Sequence, residues 1–118
     1  MNFKQDDCGR SERRDCTVRA TAACLNIPYT EAQARLSALG RKKNCGVVFE
    51  RVAEALGLEL CPEFSCRTLK SILPEMTQGR FIVRKSGHTF AVVDGVVIDI
   101  VAPKELVRVK MAYREAKV

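Results

Sequence analysis

Two side chains in this sequence have the types needed for nucleophilic catalysis. The stretch RRDCTVRA at 13–20 contains Cys16, and the stretch SGHTFAVVDGVVID at 86–99 contains His88, the only histidine of the chain. A cysteine thiolate is a strong nucleophile, and an imidazole can take its proton and later protonate a leaving group. We therefore weigh a Cys16–His88 catalytic pair against a core cysteine and an unrelated surface histidine.

An Asp-Gly turn at 94–95 relates His88 to a carboxylate. Asp-Gly between two apolar runs is typical of a two-residue hairpin loop, so Val93 should face Val96. Counting outward places Asp99 diagonally from His88, with about 7–8 Å between their backbones. The side chains expected on this face are His88, Phe90, Val92, Val97, Asp99 and Val101. Because the rest of the face is apolar, an unpaired imidazole or carboxylate there would cost several kcal/mol, which favours pairing of the two.

The pattern around Cys16 predicts a helix that begins at that residue. Val18, Ala22 and Leu25 fall on one helical face, and Asp15 stands at the natural N-cap position. Unpaired N–H groups and the positive end of the helix dipole favour a thiolate at such a position. Asp15 would raise the pKa of the thiol, in opposition to nearby arginines. The arginines expected to lower it are Arg13, Arg14 and Arg19.

The other cysteines fit a structural role. The first ten residues lack the apolar run of a secretory signal, so we expect a cytoplasmic protein with free thiols. No CxxC pair is present and histidine is scarce, so we expect neither a metal nor another cofactor. The cysteines interpreted as small structural side chains are Cys24, Cys45, Cys61 and Cys66.

Composition and charge set further bounds. The 118 residues suit one domain spanning 1–118, and 47% apolar content suffices for a core. No run of eighteen apolar residues is present, so we expect no membrane span. The net charge of +6 would attract nucleic acid or an acidic protein. The densest basic patches are Arg10, Arg13, Arg14 and Arg19, followed by Arg41, Lys42 and Lys43.

Helices should dominate the first half of the chain and strands the second. After the helix at Cys16, Thr30 with Gln33 forms a capping box, and that helix ends at Gly40. We expect a third helix near 48–56, a short strand at 58–60 and a brief helix at 67–73. From residue 79 the period becomes two, and the expected strands are RFIVR, HTFAVV, VVIDIV and LVRVKMAY. The predicted class is α+β, with N-terminal helices packed on a C-terminal antiparallel sheet of about four strands.

The order of these features resembles the papain-like cysteine peptidase fold. The matching words are DC at 15–16, GHTFAVVDG at 87–95 and VVID ending at 99, and the likeness spans about 15–101. It is greatest to small bacterial and phage members and to the peptidase domains of bacteriocin-exporting transporters. The resemblance implies a cysteine-dependent hydrolase of peptide, isopeptide or amide bonds that acts on a protein or peptide, in a host cytoplasm if phage-encoded. Cys16 would be the nucleophile, His88 the base that becomes the acid, and Asp99 the residue that orients His88.

The chain also departs from that family. A glutamine that donates to the oxyanion usually lies a few residues before the nucleophile, but Arg10 stands six before Cys16. Gln5 and Asn2 are the upstream amides, and Gln5 is the oxyanion candidate. Because the usual glutamine is missing, a second hypothesis stays open. In it the chain is a catalytically weak or inactive papain-like binding module, such as a phage protein that engages a host factor. A third hypothesis is nucleic-acid binding through the basic patches, ranked last because no nucleic-acid motif or aromatic platform is present. The oligomeric state stays open.

Overall fold

The helices precede most of the strands along the chain, so the α+β class predicted from the sequence is confirmed. A computed structural model describes residues 1–116. Its regular elements are β1 (Phe3–Gln5), α1 (Cys16–Leu25), α2 (Tyr29–Ala38), α3 (Phe49–Val52), β2 (Leu58–Leu60), α4 (Leu69–Ile72), β3 (Arg80–Lys85), β4 (His88–Val93), β5 (Val96–Asp99) and β6 (Val109–Glu115). Short 3₁₀ turns cover Pro62–Phe64 and Leu73–Glu75. None of the helices within residues 1–116 is long and apolar enough to cross a membrane.

The sheet is larger and more mixed than predicted. It has six strands in the order β1-β5-β4-β3-β6-β2, and β1 pairs in parallel with β5 while the other pairs are antiparallel. The sequence did not indicate β1 as a strand of this sheet, because three residues are too few for an alternating pattern to show. The strand predicted last in the meander, β6, pairs with β3 instead of β5. The free edge of β5 is taken by β1, which the chain supplies from its first residues.

The β4–β5 hairpin has the predicted register. Val93 pairs with Val96, and Asp94 and Gly95 both have positive φ angles, 49° and 80°, as a two-residue primed turn requires. The prediction for Val101 was wrong. β5 ends at Asp99, and Val101 is 72% exposed beyond it.

Two apolar clusters lie on the two faces of the sheet. In one cluster α1 and α2 pack against a face that carries Ile82 and Tyr113. In the other, α4 packs against the face that carries Phe90 and Val97, the face predicted to hold His88 and Asp99. Helix α1 therefore packs against the opposite face, and its first residue meets His88 at the ends of the strands.

Two predicted helix caps have other partners. Asp15 occupies the N-cap position of α1, yet its side chain makes no capping hydrogen bond. The predicted capping box of Thr30 and Gln33 is also wrong: α2 begins at Tyr29, and the Gln33 amide donates to Glu12. In both cases a buried ion pair competes for the polar side chain.

Ion pairs also break up both predicted basic patches. Arg41 is buried against Glu12, with Nη2 and Oε1 3.1 Å apart, and the Asn44 N–H donates to the same carboxylate. Burial would raise the pKa of Glu12, but these hydrogen bonds lower it to about 2. Arg19 is likewise buried between two carboxylates. Each patch therefore loses one arginine from the surface that nucleic acid would contact.

Candidate active site

Three elements place Cys16, His88 and Asp99 together. Cys16 is the first residue of α1, His88 the first of β4 and Asp99 the last of β5. Helix α1 packs along β4, and β4 and β5 are hairpin partners. The N-terminus of the helix consequently lies at the strand ends that carry the imidazole and the carboxylate.

The His88 ring is held between Asp99 and Cys16. Nε2 lies 2.6 Å from Oδ2 of Asp99, and the Cys16 thiol is near enough to the imidazole for each group to shift the pKa of the other. Because Asp99 occupies Nε2, Nδ1 is the ring nitrogen that stays free to exchange a proton with the sulfur. The ring stacks on Phe90 with centroids 6.2 Å apart, which restricts its rotation. The His88 side chain is 29% exposed, so a substrate can reach it, whereas that of Asp99 is 2% exposed.

The two titratable partners shift each other's pKa. Burial would raise the pKa of the Cys16 thiol, but hydrogen bonds from His88 and from the Thr89 backbone N–H lower it to about 7. The hydrogen bond to Asp99, followed by that to Cys16, raises the pKa of His88 to about 9. Between these values the thiolate and the imidazolium coexist, which is the reactive form of such a pair.

The Asp99 carboxylate is fully engaged. Oδ2 faces His88, while Oδ1 accepts from Arg19 Nη1 at 2.9 Å and from the Ile100 N–H at 2.8 Å. Burial would raise the pKa of Asp99, but the hydrogen bonds from these donors lower it. The carboxylate therefore stays ionised and fixed in direction, as a residue that orients an imidazole must be.

Arg19 links the nucleophile's helix to the carboxylate. Its Nε donates to Oδ1 of Asp15 at 2.9 Å, and Oδ2 of Asp15 accepts from the Tyr29 hydroxyl at 2.8 Å. A continuous hydrogen-bonded series thus runs from α2 through α1 to β5. Sequence reasoning placed Arg19 in a surface patch. The Asp15–Arg19 spacing of four residues could have indicated an ion pair, but nothing local indicates Asp99, eighty residues away.

The side-chain amide of Gln5 lies beside the site and already donates a hydrogen bond to another group. Gln5 pairs in register with Asp99 in the sheet, and its Nε2 donates to the Ile100 carbonyl at 3.2 Å. Arg10, in the position where the resemblance would place glutamine, instead donates to the Glu12 carbonyl at 3.0 and 3.2 Å. The backbone N–H of Cys16, in the first turn of α1, has no partner within the helix, so it is the group that the helix could offer to an oxyanion.

An open groove of about 600 Å³ adjoins His88, and sequence reasoning missed it. Its lining residues are Lys85, His88, Asp99, Val101, Ala102, Pro103, Lys104, Leu106 and Val107. Leu106 was predicted to begin a strand, but β6 begins at Val109 and Leu106 is 73% exposed in the groove wall. The sequence did not indicate this apolar wall, because residues 106–108 were expected to lie within a strand.

The remaining thiols differ from Cys16. Burial raises the pKa of Cys24 to about 12 and, with nearby carboxylates, that of Cys8 and Cys61 to about 11. Cys45 and Cys66 are exposed. Across residues 1–116, no group of three or more His, Cys, Asp or Glu side chains is arranged to hold a metal ion.

Comparisons with models of protein families, with curated proteins and with solved structures found no match to this chain.

Proposed function

We propose that this protein is a cysteine-dependent hydrolase of peptide, isopeptide or amide bonds with a papain-like arrangement of Cys16, His88 and Asp99. The observation that carries the proposal is the meeting of the Cys16 thiol with an imidazole that is hydrogen-bonded to a buried carboxylate, at the adjoining ends of α1, β4 and β5. Its order along the chain supports the papain-like comparison: a cysteine at a helix start, a histidine at a strand start and an aspartate on the next strand.

The chemistry follows from the charge states. The Cys16 thiolate attacks the carbonyl carbon, a C–S bond forms and the carbonyl oxygen becomes an oxyanion. His88 then donates its proton to the leaving nitrogen as the C–N bond breaks, which leaves an acyl-thioester on Cys16. Water attacks the thioester while His88 takes its proton, and the product acid leaves as the thiolate returns. Asp99 holds the ring in place throughout.

The oxyanion needs hydrogen-bond donors. The Cys16 N–H lies at the positive end of the α1 dipole, and Gln5 is the candidate second donor. To serve, the Gln5 amide has to exchange its bond to the Ile100 carbonyl for the oxyanion. Loss of one such donor typically costs a factor of about 10² to 10³, so turnover without Gln5 should be slow.

Thiol alkylation tests the proposal without a known substrate. Iodoacetamide is applied between pH 6 and 7, and each cysteine is followed by peptide mass mapping. Cys16 should react at least about tenfold faster than the exposed Cys45, because a thiol pKa of about 7 leaves a much larger thiolate fraction. The advantage should disappear in His88→Ala. Equal rates for Cys16, Cys45 and the buried Cys24 would contradict the proposal.

One observation favours the binding module as the second candidate. The Gln5 amide is engaged with a carbonyl, while apolar side chains stay exposed beside His88. A module of this kind would keep its partner in both Cys16→Ala and His88→Ala and would hydrolyse nothing. A hydrolase would show an acyl-thioester on Cys16 by mass spectrometry when mixed with an activated ester.

A further inference from the structure

We propose that the groove beside His88 binds the leaving-group side of a peptide substrate, and that it selects an apolar side chain next to acidic side chains. This inference rests on the proposed hydrolase for the direction of the peptide. The ligand class itself is argued from the walls and the charges of the groove.

One wall of the groove is apolar and held in place. The segment 101–107 contributes Val101 and Leu106, which are 72% and 73% exposed. On either side of Leu106 its backbone is anchored by a carbonyl: Glu105 accepts from the Lys70 N–H at 2.8 Å, and Val107 accepts from the Leu69 N–H at 2.9 Å. A fixed wall keeps its shape when a ligand side chain packs on it, so little conformational freedom is lost on binding.

The polar groups of the groove are mostly cationic. Lys85 pairs in register with His88 across β3 and β4, so the two side chains share a face, and Lys104 stands on the facing segment. Glu105, next to Lys104 in sequence, is directed to the terminal ammonium of Met1 at 3.3 Å. The one carboxylate in the lining, Asp99, is buried and already engaged. The open positive charges therefore fit carboxylates of a ligand, and the apolar wall fits the side chain beside them.

The position of His88 indicates which side of the scissile bond the groove binds. A general acid must reach the leaving nitrogen, so the leaving part of the substrate lies over the imidazole. Within the described part of the chain the groove is lined by His88 and not by Cys16. A peptide that enters the groove consequently places residues of its leaving side there, while its acyl side lies on the far side of the sulfur.

Binding to the Cys16→Ala variant tests the ligand class separately from catalysis. Two fluorescein-labelled octapeptides are compared, identical except that Leu-Glu-Glu in one is Leu-Lys-Lys in the other. The Glu peptide should bind at least about fivefold more tightly, an advantage that salt reduces. Amide NMR shifts of 101–107 should follow the titration.

Charge reversal supplies the matched control. Lys104→Glu should abolish the preference for the Glu peptide, whereas Lys42→Glu, an equal charge change at an exposed position in the 41–44 loop, should keep it. Leu106→Ser should weaken both peptides equally. All three side chains are exposed, so folding should be preserved in each variant. Equal affinity for the two peptides, or shifts that map elsewhere, would overturn the proposed groove.

A turnover measurement tests whether the groove binds the leaving-group side of the substrate. In peptides that the native protein cleaves, acidic residues after the scissile bond should raise kcat/KM, and Lys104→Glu should remove that gain. Hydrolysis of the acyl-thioester should be unchanged in Lys104→Glu, because the leaving part has departed by then. A matching slowdown of thioester hydrolysis would refute the assignment. A Cys16 of ordinary reactivity refutes the hydrolase and the assigned side, whereas the binding assay alone decides the ligand class.

Discussion

Replacement of Arg19 should lower the free energy of unfolding more than most other single substitutions in α1. Arg19 donates at 2.9 Å to two carboxylates, Asp15 and Asp99, whose side chains are 0% and 2% exposed. Arg19→Gln removes the cation and leaves both charges in a low-dielectric setting. Removal of one partner from a buried ion pair typically costs about 3–5 kcal/mol. Asp15 keeps Arg10, with Nη2 3.5 Å from Oδ1, and the Tyr29 hydroxyl, while Asp99 keeps His88. This partial compensation places the expected loss at the lower end of that range, which is still a large share of the stability of a domain this size.

Arg35 offers a matched control on the next helix. It also pairs with an acidic residue four positions away, Glu31, at 2.7 Å, but both side chains are 46% exposed. Arg35→Gln should cost less than about 0.5 kcal/mol, since exposed pairs on a helix contribute little. Arg19→Lys keeps the charge but cannot bridge both carboxylates with a planar fork, so an intermediate loss of about 1–3 kcal/mol is expected.

Urea unfolding followed by circular dichroism measures these differences. With a slope of about 2 kcal/mol per molar urea, Arg19→Gln should lower the midpoint by about 2 M. The free energy of unfolding of Arg35→Gln should match that of the native protein. A loss for Arg19→Gln within about 0.5 kcal/mol of the Arg35→Gln value would refute the reasoning, because it would mean that the buried carboxylates do not depend on the guanidinium.

Two other predictions concern the hairpin and its histidine. The pKa of His88 is raised in the folded state to about 9, so the stability it contributes is complete below its unfolded pKa near 6.5 and is lost as pH rises through 9. The lowered pKa of Cys16 contributes to stability with the opposite sign over the same pH range, so the comparison is made in a Cys16→Ala background. There the bond to Asp99 still raises the pKa of His88, and the loss of unfolding free energy caused by adding His88→Gln should shrink from pH 6 to pH 9.5. A loss that grew with pH would contradict the assigned shift. Asp94 adopts a φ of 49° in the turn and accepts from the Gly79 N–H at 2.9 Å. Asp94→Ala should lower the free energy of unfolding by about 1–2 kcal/mol, measured by urea titration, and a neutral result would count against this role of the turn.

What the sequence could predict was local. The Asp-Gly turn determines the register that relates His88 to Asp99, because side-chain parity in a hairpin follows from loop length alone. The start of α1 at Cys16 follows equally from the spacing of apolar residues nearby.

What the sequence could not predict depends on contacts between distant segments. Pairing of β1 with β5 brings residues 3–5 against residues 97–99, and Arg19 binds a carboxylate that lies eighty positions later in the chain. The Arg19 contact also explains why Asp15, which is the N-cap of α1 as predicted, makes no side-chain capping bond. Val101 is exposed because β5 ends at Asp99, a limit that the apolar run VVIDIV did not indicate.

The parallel pairing of β1 has a consequence for the order in which the molecule assembles. Residue 6 donates its N–H to the Asp99 carbonyl at 2.9 Å, and the Asn2 carbonyl accepts from the Val97 N–H. Contacts between segments so far apart form slowly, because a long loop must close, at a cost in chain entropy, before the contacts can stabilise the fold. A ribosome-bound chain that has displayed Cys16 still lacks the imidazole and the carboxylate, so its thiol keeps ordinary reactivity during synthesis. In the proposed hydrolase, activation of the sulfur is thereby tied to completion of the sheet.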